Sequence, residues 1–371
     1  MKICIISKYP PIQGGISSKT FWMAKGLAEK DVEVHVVTNA NCVEKEYCIN
    51  DSSPVPSPWP KIYFTLPELP WHIPNSQLYL PKLLEKALEV VIDNKIDLID
   101  TNYLIPYGIA GYLLSNMTGI PYILRHGGTD LRKFLEPGIF KNLLERVIKN
   151  AAAIITDWRN KELFSGMNAN ILVLPRYIPD ERSFCPFSIS RKVPTFAYIG
   201  KVNYYWKYKS LDKIVDVFSG VNEEHRLLWL AQGNGFSEFS KYLENQKLKR
   251  HEFKEFIHPS FMPDLLKQID FLLYFLQDNP IKDFSNIVCE ALWSGIPVIT
   301  DKNMDITEYA SYLGISPEQQ IIKLDLDNIK SAQNQITMLI KKFVSPFRCP
   351  IKINYSYDKY IEENLSIYRK V

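Results

Sequence analysis

Residues 1–39 read MKICIISKYPPIQGGISSKTFWMAKGLAEKDVEVHVVTN, and this stretch decides the fold. Residues 2–7 are almost continuously apolar, as a strand covered on both faces must be. Residues 17–28 carry Phe21, Ala24, Leu27 and Ala28 at helical spacing behind serines placed to cap, and VEVHVVT at 32–38 is a second strand. Two strands joined by a helix run parallel, because the crossover carries the chain back to the end where it started. The alternation recurs at KIDLIDT (95–101), PYILRH (121–126) and AAAIITD (151–157). Residues 1–187 therefore read as one doubly wound, Rossmann-like α/β domain.

Residues 188–193, SISRKV, are polar and basic without apolar periodicity. A fresh series then starts with PTFAYIG (194–200) and continues through RLLWLAQ (226–232), KEFIH (254–258), DFLLYF (270–275) and IPVIT (296–300), each followed or preceded by a helix-length segment. A second α/β domain is expected over 188–345, in keeping with 371 residues and a prior of ~100–200 residues per domain. The remaining segment, 346–371, has apolar or aromatic residues at 357, 360, 361, 365 and 368, one helical face that needs a packing partner.

A net charge of +3 with scattered acids and bases leaves no basic field for a polynucleotide, so no nucleic-acid partner is expected. Six cysteines form no C-x-x-C pair, and Met1 leads straight into a strand pattern without a charged leader; a cytoplasmic protein is the expectation. Residues 101–124 are uncharged over 24 positions, long enough for a membrane span. Pro106, Gly108, Gly111, Asn116, Gly119 and Pro121 instead divide them into a strand end, a short helix and a new strand. Residues 54–81 hold eight prolines with Trp59 and Trp71, the pattern of a long irregular loop with an edge strand; both an acceptor-binding loop and a rigid surface excursion fit it.

The stretch KDFSNIVCEALWSGIPVIT (282–300) places one carboxylate, Glu290, inside an apolar helix. Ser285 or Asn286 can cap that helix, and the free N–H groups of its first turn suit a phosphate. Asn286 lies four residues before Glu290 on the same face, and a carboxylate there can accept from the two vicinal hydroxyls of a ribose. Asp325 and Asp327 in LDLDN resemble an Asp-x-Asp metal pair, but Asp327 fits better as the N-cap of the next helix. The six histidines show no ligand spacing, and no metal site is expected.

FSNIVCEALWSGIPVIT resembles the motif of the retaining nucleotide-sugar glycosyltransferases of family 4 at Asn286, Glu290, Ala291, Gly295, Pro297, Val298 and Ile299. The likeness extends over nearly the whole chain: the strand, Gly14–Gly15 loop and helix at the start, RHGGTDL (125–131), YIGKVNYYWKYKSLDKIVDVF (198–218), AQGNG (231–235) and the terminal helix. It implies the GT-B fold, two Rossmann-like domains facing a cleft, with the terminal helix crossing back to the first. Donor binding falls to the second domain and acceptor binding to the first. The resemblance implies donor contacts from Gly14, Gly15, Lys201, Lys209, Gly233, Ser285, Asn286, Ile287 and Glu290, with His126 touching the transferred sugar and Asp130 near the acceptor. Lys201 stands where the family has arginine, and Lys207 can exchange with Lys209 by register. The family carries a second acid eight positions before Glu290, where this chain has Lys282; Asp283 or Asp278 can supply the acid if the loop shifts.

The function so implied is metal-independent, retaining transfer from a UDP- or GDP-sugar, as co-substrate, to a glycan or lipid-linked glycan in surface polysaccharide synthesis. A nucleotide-sugar-binding relative without turnover and a sugar-nucleotide epimerase of the same fold are the alternatives. A nicotinamide oxidoreductase is disfavoured, since the first loop lacks G-x-G-x-x-G and the second strand ends in Thr38-Asn39. The window 131–149, with five basic and two acidic residues around Leu131, Phe134, Leu135, Ile139, Phe140, Leu143 and Leu144, fits either peripheral contact with an anionic membrane at its inner face or an ordinary amphipathic helix.

Overall fold

The computed structural model describes residues 1–40, 43, 45–49, 60–66, 75–168, 170–187, 189–246, 248, 250–276, 285–345 and 347–371, with backbone alone for 75–79. The chain forms two compact units, one of residues 1–178 with 357–371 and one of residues 179–356. The sequence reading set these boundaries at 187/188 and 345/346. The polar stretch near 190 belongs to the second unit because Arg191 is tied there, donating to the Lys267 carbonyl at 2.8 Å and to the buried Asp270 carboxylate at 3.1 Å.

Unit 1 runs β1 (Lys2–Ile6), α1 (Gly15–Ala28), β2 (Glu33–Thr38), β3 (Lys61–Phe64), α2 (Asn75–Asn94), β4 (Leu98–Asn102), α3 (Ile109–Thr118), β5 (Tyr122–Arg125), the short turn α4 (Gly128–Asp130), α5 (Lys141–Asn150), β6 (Ala153–Thr156) and β7 (Ile171–Val173). Its seven strands are ordered β3-β2-β1-β4-β5-β6-β7 and all pair in parallel. Ile3 faces Val34 on one side and Leu98 on the other, so the central strand is buried on both faces and reads as unbroken apolar sequence. Chain order reverses between β1 and β4, which opens a crevice at the strand C-termini.

Helix α1 begins at Gly15, earlier than the serines suggested, because Gly14 takes a φ of 124° at the N-cap position and leaves Ser17 and Ser18 inside the first turn. The 101–124 stretch divides as expected into β4, α3 and β5. Among the described residues no helix is long and apolar enough to cross a membrane. Strand β3 is the edge strand read in the proline-rich segment.

Unit 2 runs β8 (Thr195–Ile199), α6 (Leu211–Ser219), β9 (Arg226–Leu230), α7 (Phe236–Asn245), β10 (His251–Lys254), α8 (Met262–Leu266), β11 (Phe271–Leu273), α9 (Asn286–Trp293), β12 (Val298–Thr300), α10 (Thr307–Tyr312), β13 (Ile321–Lys323) and α11 (Ile329–Lys341). The order is β10-β9-β8-β11-β12-β13, again parallel, with the reversal between β8 and β11. Strand β10 precedes the expected KEFIH; the pairing of His251 with Leu227 fixes its register, and its place at the sheet edge spares it the apolar run that marks a central strand.

The last helix, α12 (Tyr357–Tyr368), belongs to unit 1 and buries the face read from the sequence: Tyr357, Tyr360, Ile361, Leu365 and Tyr368. It packs on α1 at Gly26, where a Cβ would stand 2.4 Å from the Tyr357 hydroxyl. A buried network completes the joint. The Arg125 guanidinium meets Asp100 at 2.9 and 3.0 Å, Asn364 at 2.6 Å and the Tyr368 hydroxyl at 2.9 Å.

Candidate active site

In unit 1 the candidate residues gather where strands end. The chain after β5 turns through His126 and Gly127, and a Cβ on Gly127 would lie 2.7 Å from the Tyr103 ring and 3.4 Å from Ile16 in the first turn of α1. That close approach needs glycine, and it sets the His126–Gly127 turn against Ile16 in the first turn of α1. His126 is 5% exposed; its Nε2 meets the Thr156 hydroxyl at 2.7 Å. Its Nδ1 has no hydrogen-bond partner of good geometry, only a marginal contact with the Gly127 backbone. Burial, helped by the nearby Arg176 charge, drives the imidazole pKa down to about 3, so the ring is neutral.

Asp130 is spent on the same turn. It is fully buried and accepts from the backbone N–H groups of Leu104 (2.7 Å), Gly127 (2.9 Å) and Leu131 (3.1 Å). Burial raises its pKa to about 7 against the pull of those N–H donors. Those three backbone bonds make it the residue that positions the His126–Gly127 turn.

Three residues absent from the sequence reading join this edge: Lys19 on α1, Asp157 after β6 and Arg176 after β7. Arg176 lies 3.7 Å from Asp157, and both lie within electrostatic reach of Lys19 and His126. Burial is the main reason the Lys19 ammonium is pushed down to about 7, with Arg125 and Arg176 adding to it. One signal for Lys19 was available: a lysine at i+4 from Gly15 sits one turn inside a helix that faces the crevice.

In unit 2, Lys201 and Gly233 lie in loops after adjacent strands β8 and β9, and the two loops are laced together. Val202 N–H donates to the Gln232 carbonyl at 2.8 Å, and Gly235 N–H to the Val202 carbonyl at 3.1 Å. A Cβ on Gly235 would strike the Asn203 carbonyl at 2.1 Å, and Gly233 takes a φ of 138°. Lys209 turns inward and donates to the Lys201 carbonyl, and burial pushes its pKa down to about 8, while Lys207 is exposed with its ammonium 5.5 Å above the Trp206 ring.

Glu290 is 3% exposed on α9, and Ile287 beside it is buried, while Asn286 is half-buried. Ser285 holds the N-cap position with an extended backbone, but its side chain makes no capping bond. Trp59, Trp71, Asp278, Lys282 and Asp283 lie outside the described residues. Asn328, and not Asp327, is the N-cap of α11, its side chain accepting from Ser331 N–H at 3.0 Å; Asp327 is exposed and its own N–H donates to Asp325 at 3.1 Å. Among the described residues no group of three His, Cys, Asp or Glu side chains converges as a metal site would need.

Residues 13–157 match the sequence profile of Glycosyltransferase Family 4. The chain is 29% identical over 184 residues to an uncharacterized glycosyltransferase, MJ1178, of Methanocaldococcus jannaschii, a match covering 44% of this chain and 48% of that one. It thus spans about half the length of that curated relative. Among solved structures, a sucrose-phosphate synthase from Thermosynechococcus elongatus superposes with a TM-score of 0.71 at 15% identity over 100% of this chain and 98% of that one. HepE of Anabaena in complex with UDP-glucose gives 0.62 at 14%, covering 92% and 90%. A UDP-GlcNAc 2-epimerase from M. jannaschii gives 0.59 at 13%, covering 100% of both chains. The whole chain therefore has the GT-B fold, and the family match across residues 13–157 supports a glycosyltransferase.

Proposed function

We propose that this protein is a retaining glycosyltransferase that, without a metal cofactor, moves a hexosyl group from a UDP- or GDP-sugar to a hydroxyl of a glycan or lipid-linked glycan, in surface polysaccharide synthesis. The observation that carries the reading is Glu290: a carboxylate buried to 3% exposure on the helix whose sequence resembles the family's donor motif. Most glutamates stay in water, and one held inside a helix of this pattern at the strand ends can accept hydrogen bonds from a bound donor. A ribose offers two vicinal hydroxyl donors to it.

Bond cleavage leaves a nucleoside diphosphate whose growing charge needs fixed cations. Lys201 and Lys209 supply them from the loop after β8, and Lys209 gains charge stabilisation when an anion replaces the lost solvent. Lys282 adds a further positive charge beside the diphosphate. Neutral His126 offers hydrogen bonds to the transferred sugar. In a same-face displacement the leaving phosphate takes the acceptor proton as the new glycosidic bond forms.

A thermal-shift screen against UDP- and GDP-sugars tests the donor assignment, since a ligand of the folded state raises the melting temperature. Anomeric configuration of the product then tests retention. An inverted product rejects the retaining mechanism, and conversion of the nucleotide sugar without acceptor favours an epimerase. Binding without turnover identifies a non-catalytic relative.

Peripheral contact with an anionic membrane belongs to the same proposal. Leu131 and Leu144 are buried in unit 1, but Ile139, Phe140 and Leu143 are exposed among Arg132, Lys133, Lys141, Arg146 and Lys149. Basic residues around exposed apolar ones suit an anionic bilayer. Absence of co-sedimentation with phosphatidylglycerol vesicles at low salt rejects it.

A further inference from the structure

Residues 201–210, the loop after β8, read KVNYYWKYKS. The exposed residues of this loop are Tyr204, Tyr205, Lys207 and Tyr208, and the three tyrosines are 66%, 65% and 51% exposed. Folding gains nothing from leaving three aromatic rings in water within five positions, and such concentrations of exposed apolar surface mark places where something binds.

The loop is pinned beneath these rings. Trp206 is 1% exposed, its ring centroid 5.1 Å from that of Phe239 and 5.2 Å from that of Tyr242. Trp206 N–H donates to the Asn203 carbonyl and Tyr208 N–H to the Tyr205 carbonyl, both at 3.0 Å, which closes a single 3-10 turn over Trp206–Lys209. Side chains three apart eclipse on such a turn. The Tyr205 and Tyr208 rings accordingly stand nearly parallel, 11° between their planes with centroids 5.7 Å apart.

The chemistry of this surface selects its occupant. Unit 1 exposes Ile139, Phe140 and Leu143, side chains that suit a bilayer, whereas the one aliphatic residue of 201–210, Val202, is buried. A tyrosine is apolar on its ring face and polar at its hydroxyl. A sugar ring matches both, because its slightly positive C–H bonds meet the negative face of the aromatic ring while its edge hydroxyls meet the phenol oxygen. Residues 201–211 also hold three lysines and no acid. Lys207 is exposed beside Tyr208 and in no ion pair among the described residues, its ammonium 5.5 Å from the Trp206 ring centroid. Anionic groups on a glycan would find a cation there and no carboxylate within the loop.

Resting on the glycosyltransferase reading, we propose that Tyr204, Tyr205, Lys207 and Tyr208 form a platform on the second unit for an acidic glycan, gripping the polymer that carries the acceptor hydroxyl. Lys201 and Lys209 belong to the same loop, so the platform holds the glycan at the loop assigned to the donor diphosphate. It adds to the acceptor contacts expected of the first unit. An acidic oligosaccharide is bound more tightly than a neutral one of equal length.

The test is calorimetry on the full chain with hexagalacturonate as probe and maltohexaose as its neutral counterpart, with and without UDP or GDP. Wild type is expected to bind hexagalacturonate. Tyr205→Ala with Tyr208→Ala is expected to weaken that binding by about tenfold or more, the worth of two aromatic contacts, and to leave UDP or GDP affinity unchanged. Lys207→Gln is expected to weaken it too and to flatten its dependence on salt. Tyr208→Ala alone serves if the double variant does not fold. Unchanged hexagalacturonate binding in the alanine variants overturns the proposal, as does loss of nucleotide affinity, which assigns the tyrosines to the donor. Maltohexaose bound as tightly as hexagalacturonate overturns the choice of an acidic glycan. Loss of co-sedimentation with phosphatidylglycerol vesicles in the double variant reassigns the surface to a membrane and overturns it as well. Wild type that binds hexagalacturonate but neither nucleotide counts against the glycosyltransferase reading alone, and wild type that binds nucleotide but no hexagalacturonate counts against the platform alone.

Discussion

Glu290 and His126 are both ionisable groups withdrawn from water, and each makes a measurable demand. Two hydrogen bonds to a charged acceptor are worth roughly 1.5–3 kcal/mol each. Glu290→Ala is therefore expected to weaken nucleotide binding by about a hundredfold or more, with Glu290→Gln between the two; calorimetry that shows normal binding in the alanine variant makes the carboxylate structural. His126 is held neutral in the fold, with a pKa lowered from its ordinary 6.5 to about 3 by burial and by Arg176. Between these values the unfolded chain binds the extra proton, so stability falls as pH drops below about 6.5, by up to about 1.4 kcal/mol per pH unit. Denaturant titrations of His126→Gln between pH 4 and 7 are expected to show a flatter dependence than wild type. An equal slope in both proteins would show that other groups set the acid limb.

At the scale of elements, helix α12 depends on one glycine and one buried ion pair. A Cβ at Gly26 would lie 2.4 Å from the Tyr357 hydroxyl and 2.6 Å from Ile361. Gly26→Ala is expected to cost about 1–3 kcal/mol through overpacking and to make the C-terminal helix more susceptible to proteolysis; an unchanged melting temperature refutes the close packing. Arg125→Met leaves Asp100 buried without its partner, a loss of about 3–5 kcal/mol. Replacing Asp100 by Leu in the same protein is expected to recover much of it, because two apolar side chains carry no desolvation cost. The proline-rich segment 54–81 belongs to this scale too: Trp59→Ala with Trp71→Ala is expected to lower transfer and leave donor affinity alone.

For the whole molecule, the discontinuity of unit 1 has a direct consequence. Residues 357–371 close it, whereas residues 179–356 are continuous. A chain ending at 356 would leave Gly26 and Arg125 without the helix that covers them, and unit 2 would lose nothing of its own. Differential scanning calorimetry of the shortened chain is expected to show unit 1 melting at a lower temperature and unit 2 near its wild-type value. A common downward shift of both transitions would show that the units are stabilised together.

The sequence by itself determined the two parallel sheets, the helix crossovers and the place of Glu290, because central strands buried on both faces and helices with one apolar stripe leave periodicities that any window of the chain displays. Strand β10 and the start of α1 were less legible: an edge strand has no apolar run, and the helix start rests on a backbone angle at Gly14 that composition does not show. Only the tertiary structure decided that Asp130 accepts from three backbone N–H groups, that Lys209 and not Lys207 turns inward, and that Lys19 lies within electrostatic reach of Arg125, Arg176, Asp100 and Asp157. Charge balance and hydrogen-bond satisfaction depend on residues brought together from separate strand ends, as far apart in sequence as Asp100 and Tyr368. No local pattern records such meetings; the packing of the sheet creates them.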